Sequence, residues 1–202
     1  SVLFPLLKKM NWTIDISTIK HGFFPRGGAE VEFFSSPAKL QALHITEKGK
    51  ALSLKITSIA SLDLEKAEVA ERQAKEAKKL LFKTFPTIPM EIHTEYVASL
   101  CPCSGLQITL QTEHSFFGAD ALGEKGKSAE KVAEEAVASL VHSYAHGTVD
   151  IYTADMLLPF LALAGGSYQA PEITEHVKTN MKVIEKFLDV EFKIKDRWIS
   201  KL

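Results

Sequence analysis

The chain has 202 residues, 46% of them hydrophobic, enough to bury a core in one or two domains. Its 24 basic and 25 acidic side chains give a formal charge of -1, which excludes a global attraction to nucleic acid; any RNA contact has to come from a local basic patch. Two cysteines, Cys101 and Cys103 around one proline, exclude a disulfide framework and fall short of the about four ligands of a structural zinc site.

Residues 1–10 place Leu3, Leu6, Leu7 and Met10 on one helical face, with Pro5 tolerable only in a first turn. This predicts a short helix and a chain that opens inside a domain. The opening lacks the charged region and small-residue cleavage pattern of a signal peptide. The longest apolar run, residues 156–164, is well short of the ~20 residues that span a bilayer. A soluble protein of the cytoplasm, with no membrane partner, is expected.

Residues 13–20 alternate Ile14 and Ile16 with polar neighbours, and residues 30–34 alternate again, which predicts a hairpin-like pair around a Gly/Pro loop. In that loop Gly27 and Gly28 allow positive φ in a wide turn, a structural role favoured over a phosphate cradle because no helix follows. Arg26 is the candidate phosphate contact. Residues 35–37 break the composition. Residues 40–45 and 51–61 then read as strands around a turn at 47–50, and a helix runs from Asp63 through residue 83, ended by Pro86 and Pro89.

Residues 91–99 and 106–117 read as an antiparallel pair around the Cys101-Pro102-Cys103 turn, followed by a polar loop at 118–126. The cysteines lie between strands without the two-residue spacing of a redox motif. Ser128 caps a predicted helix over 129–144, with Val132, Ala136 and Leu140 at steps of four. Residues 150–164 form a dense apolar helix in which Pro159 implies a kink or a late start, and residues 190–202 supply two short strands around Asp196-Arg197.

Between them, Ile173 and Val177 are spaced as on a strand, and Met181, Ile184 and Leu188 as on a helix that Thr179 or Asn180 caps. His176 is thereby placed just before a helix N-terminus, where free N–H groups favour an anion such as phosphate. A neutral imidazole attacks phosphorus without prior deprotonation. On the residues alone a surface or satisfied junction histidine is the favoured reading. The other histidines show no paired ligand spacing; His142 and His146 stand four apart on a helix with no third ligand nearby, so no metal-ligand set is expected.

Three segments in order carry a resemblance. His21-Gly22-Phe23-Phe24-Pro25-Arg26-Gly27-Gly28-Ala29-Glu30-Val31, residues 149–159 and residues 174–188 together resemble the RNA 3'-terminal phosphate cyclases, whose later portion the chain matches throughout. The resemblance implies an α+β fold: a cyclase-type repeat of strands and two helices, residues 1–38 and 147–202, interrupted by a thioredoxin-like α/β insert over 39–146. It implies that His176 is the nucleophile, forming a covalent histidyl-AMP from ATP, and that an RNA 3'-phosphate end becomes a 2',3'-cyclic phosphate.

The resemblance also places nucleotide contacts on Tyr152, Thr153, Ala154, Asp155 and Met156, and a divalent cation, magnesium or manganese, beside ATP. Tyr152 offers a ring to stack on adenine and Asp155 an acceptor; read without the family they are equally a core tyrosine and a first-turn carboxylate. Met156 stands where the family has glutamine and Ala29 where it has glycine. N-terminal repeats of the family are absent from the chain, so it is expected to be inactive alone. The alternative is a non-catalytic relative that binds in ribosomal RNA processing, against which His176 argues.

Overall fold

The computed structural model describes residues 2–201. Helix α1 (Leu3–Lys9) buries Leu6, Leu7 and, at its end, Met10, with Pro5 in the first turn as its missing N–H requires. Strands β1 (Ile14–Lys20) and β2 (Glu30–Ser35) form the expected antiparallel ribbon, with Ile14 opposite Ser35 and Ile16 opposite Phe33. Gly27 and Gly28 in its loop take positive φ, 62° and 85°. The ribbon pairs with no further strand among the described residues, and Ile16, Ile19, Val31, Phe33 and Phe34 remain exposed.

Strand β3 (Leu43–His44) does not pair with residues 51–61, as the turn at 47–50 suggested. It runs parallel to residues 166–167, where a Cβ on Gly166 would run into the Leu43 carbonyl, so only glycine lets the two backbones meet. Leu43 and Ile45 accordingly join the core built by the flanking segments.

Strand β4 (Ala51–Ser61) leads through a 3-10 segment, Leu62–Ala67, into α2 (Val69–Thr84). Glu68, at φ 50°, breaks the single helix expected from residue 63. Strands β5 (Met90–Val97), β6 (Ser104–Thr112) and β7 (Phe116–Leu122) and helix α3 (Ala129–His146) follow. The sheet order is β5-β4-β6-β7, with β4 parallel to β5 and antiparallel to β6. The expected pairing of β5 with β6 therefore gives way to insertion of β4 between them; α2 supplies the long crossover that a parallel pair needs. Most of the expected loop at 118–126 is β7, whose Phe117, Ala119 and Ala121 alternate inward.

Both α2 and α3 pack on one face of this sheet. Small residues, Ala74 and Ala77 on α2 and Ala133 and Ala136 on α3, let them approach it and each other closely. Ser128 caps α3 by accepting from the Lys131 N–H at 3.1 Å, and Arg72 clamps Glu130 through two 2.9 Å hydrogen bonds. The fully buried Gln73 side chain is satisfied by Ser58 and Ser104.

The apolar run after Asp150 becomes two helices, α4 (Ile151–Met156) and α5 (Leu158–Ala164), broken at Leu157 because Pro159 fits only a first turn. Strand β8 (Gly166–Gln169), helix α6 (Glu175–Phe187) and the expected pair β9 (Phe192–Lys195) and β10 (Trp198–Lys201) complete the chain. The sheet order here is β3-β8-β10-β9, and α1, α4, α5 and α6 contribute to its core around Leu6, Leu158, Tyr168, Val177 and Ile199. The architecture is mixed α+β with two cores. They are joined by polar contacts: Lys9 Nζ donates to the His114 carbonyl at 2.7 Å, Lys48 Nζ to that of Tyr144, and the Gly118 N–H to Asp150 at 2.9 Å.

Candidate functional site

Asp150 organises the first half of the site. Its Oδ1 accepts from the N–H groups of Tyr152 and Thr153 at 3.0 and 2.8 Å, and its Oδ2 from the Thr153 hydroxyl at 2.7 Å and the Gly118 N–H at 2.9 Å. The carboxyl caps α4 and ties it to β7 of the other sheet. Burial pushes its pKa up, and these four hydrogen bonds oppose that rise.

Held this way, α4 divides its residues between two faces. Thr153 and Ala154 are buried, and the Ala154 carbonyl accepts from the buried Tyr168 hydroxyl at 2.5 Å. Tyr152 and Met156 are 54% and 50% exposed, with half-buried Asp155 between them. Tyr152 is therefore not a core tyrosine, and the carboxylate that stabilises the first turn is Asp150 rather than Asp155.

The cap of α6 lies five or six residues before the expected Thr179 or Asn180. Thr174 is the N-cap, its Oγ1 accepting from the Val177 N–H at 3.2 Å, so residues 173–177 are no strand and His176 lies inside the first turn. Val177 and Met181 face the core while His176, Thr179 and Asn180 are exposed, the division that helical spacing dictates. Glu175 sits in the same turn, its carboxyl held below the usual range by its hydrogen bond to Lys178 at 2.6 Å.

The two helices meet through their outward faces. Asn180, one turn beyond His176 on the same side of α6, donates Nδ2–H to Asp155 Oδ1 at 2.5 Å. Asn180 and Asp155 thus link the exposed side of α6, which carries His176, to the exposed side of α4, which carries Tyr152 and Met156. Sequence reasoning offered Asn180 only as a cap and passed over Asp150, although an aspartate three residues before a threonine at the head of an apolar run is a recognisable helix start. Arg26 is not brought to this surface by any described contact; its Nη1 donates to the Leu100 carbonyl at 3.2 Å. The Cys101 thiol donates weakly to the Phe23 carbonyl at 3.5 Å in the same junction.

A groove of about 1010 Å³ runs between β1 and the open face of the β4–β6 pair, lined by Ile16, Thr18, Lys55 and Gln107, and none of the expected site residues borders it. Among the described residues no three His, Cys, Asp or Glu side chains converge as metal ligands. Among the described residues no helix is long and apolar enough to cross a membrane.

Comparison with known proteins places these features in context. A family model described as RNA 3'-terminal phosphate cyclase matches residues 1–194. The RNA 3'-terminal phosphate cyclase of Saccharolobus islandicus is 37% identical over 196 residues, which cover 96% of this chain and 57% of the relative. That of Pyrococcus abyssi is 37% identical over 187 residues, 92% of this chain and 54% of the relative. That of Saccharolobus solfataricus is 36% identical over 196 residues. The chain spans 57% or less of the length of these curated relatives.

Proposed function

The chain belongs to the RNA 3'-terminal phosphate cyclase family, and from that premise we propose that it carries the nucleotidyl-transfer site of an ATP-dependent RNA 3'-phosphate cyclase. The observation that carries this reading is exposed His176 in the capped first turn of α6, joined through Asn180 and Asp155 to the outward face of α4.

In the first step a ring nitrogen of His176 attacks the α-phosphorus of ATP. A P–N bond forms as the P–O bond to pyrophosphate breaks, and pyrophosphate leaves with the electron pair. An oxygen of the RNA 3'-phosphate then attacks the same phosphorus and His176 is regenerated. Finally the neighbouring 2'-hydroxyl attacks the 3'-phosphorus, loses its proton and expels AMP, leaving the 2',3'-cyclic phosphate. Each step is an in-line displacement governed by positioning and charge stabilisation.

Tyr152 supplies the stacking ring, Asp155 its second oxygen as acceptor, and Met156 an apolar contact without amide donors. Thr153 and Ala154 hold α4 from the inside. Arg26 is the contact for an RNA phosphate. A divalent cation, magnesium or manganese, would come with the phosphates of ATP and neutralise their charge. Two free cysteines agree with a cytoplasmic setting.

Residues 39–146, β3 excepted, read as a thioredoxin-like insert, a reading supported by the order β5-β4-β6-β7 with both helices on one face. The exposed β1–β2 ribbon supports completion of the molecule by a further part of the polypeptide, the N-terminal repeats of the family, without which the 202-residue chain is inactive. The test is conversion of a 3'-phosphorylated RNA by the intact protein with ATP. A cyclic terminus is expected from a ribose end and none from a 2'-deoxy end. No conversion at all, or conversion independent of ATP, would reject the reading, and the former together with RNA binding would leave a non-catalytic relative.

A further inference from the structure

We infer that Asn180 is a positioning residue for nucleotidyl transfer: its hydrogen bond to Asp155 fixes the distance between the helix that presents the nucleophile and the helix that presents the nucleotide contacts. This rests on the reading that His176 attacks ATP. Helix α4 has its own anchor, the buried Asp150 cap, and α6 has the Thr174 cap and the buried pair Val177 and Met181. On the exposed side the described polar link between the two helices is the 2.5 Å bond from Asn180 Nδ2 to Asp155 Oδ1. The bond engages one oxygen of Asp155 and leaves the other to accept from a ligand. Asn180 stands one helical turn from His176, so any tilt of α6 that stretches the bond displaces the imidazole as well.

The experiment measures histidyl-AMP formation against ATP concentration in the intact protein carrying Asn180→Ala, Asn180→Asp, or the exchange of Asp155→Asn with Asn180→Asp. Misplacement by about 1 Å costs about a hundredfold in rate. Asn180→Ala is therefore expected to lower the maximal rate by about ten- to a hundredfold with KM for ATP little changed, because the α4 contacts stay in place. Asn180 is exposed, so an unchanged unfolding midpoint separates this loss from misfolding; Asn180→Ser serves if the alanine variant does not fold. Asn180→Asp is expected to be as poor as alanine, since it opposes two carboxylates. The exchange, which reverses donor and acceptor, is expected to recover part of the rate.

A wild-type rate in Asn180→Ala, or an exchange variant no better than either single change, would overturn the assignment. A wild-type protein that carries no label on His176 would instead remove the reading beneath it.

Discussion

Asp150 is buried, yet the presented surface depends on it. It is a buried carboxylate that satisfies two of the free N–H groups in the first turn of α4 and one N–H of β7. Asp150→Ala leaves those donors unpaired and is expected to cost roughly 2–4 kcal/mol in chemical denaturation. Its pKa is raised by burial above that of the unfolded chain, so the folded state binds more protons between the two values. The stability it contributes is full below the unfolded value and falls as pH rises through the folded one. Asp150→Asn is expected to abolish that slope in a pH series of denaturation curves, and a slope identical to wild type would assign it to other groups. At this scale His176 was legible because residue type and motif mark it. Asn180 was not, because its meaning lies in Asp155, 25 positions away.

Among the elements, α6 shows what sequence pattern settles and what it leaves open. Met181 and Ile184 announce a helix whose cap the sequence pattern puts at Thr179 or Asn180, whereas the structure caps it at Thr174. The choice is made by Val177, whose burial with Met181 is a step of four on one helix rather than of two on a strand. Thr174→Ala is expected to destabilise the protein by about 1 kcal/mol and Thr174→Ser to restore most of it; equal stability of all three would show that the cap contributes nothing. The β1–β2 ribbon and the β9–β10 pair were legible because their pairing is local and their alternation or turn is plain. The partners of β3 and β5 were not, because a parallel strand across a crossover leaves no mark in either strand's own pattern. Strand β8 escaped notice as four residues opened by glycine.

The whole molecule holds its two cores together through half-buried polar contacts and through Phe116 of β7, which packs against the other core. Burial lowers the pKa of both bridging lysines, Lys9 and Lys48, as expected for ammonium groups partly withdrawn from water. One part of the assembly is left without cover. A two-stranded ribbon is marginal in water, and β1 and β2 expose apolar residues on both faces. Together with relatives of which the chain spans 57% or less, that makes the intact protein the proper object for the decisive measurement. Incubated with ATP labelled at the α-phosphate, it is expected to acquire acid-labile, alkali-stable label that is absent from His176→Ala. Equal labelling of wild type and His176→Ala would contradict the assignment of His176 as the attacking group.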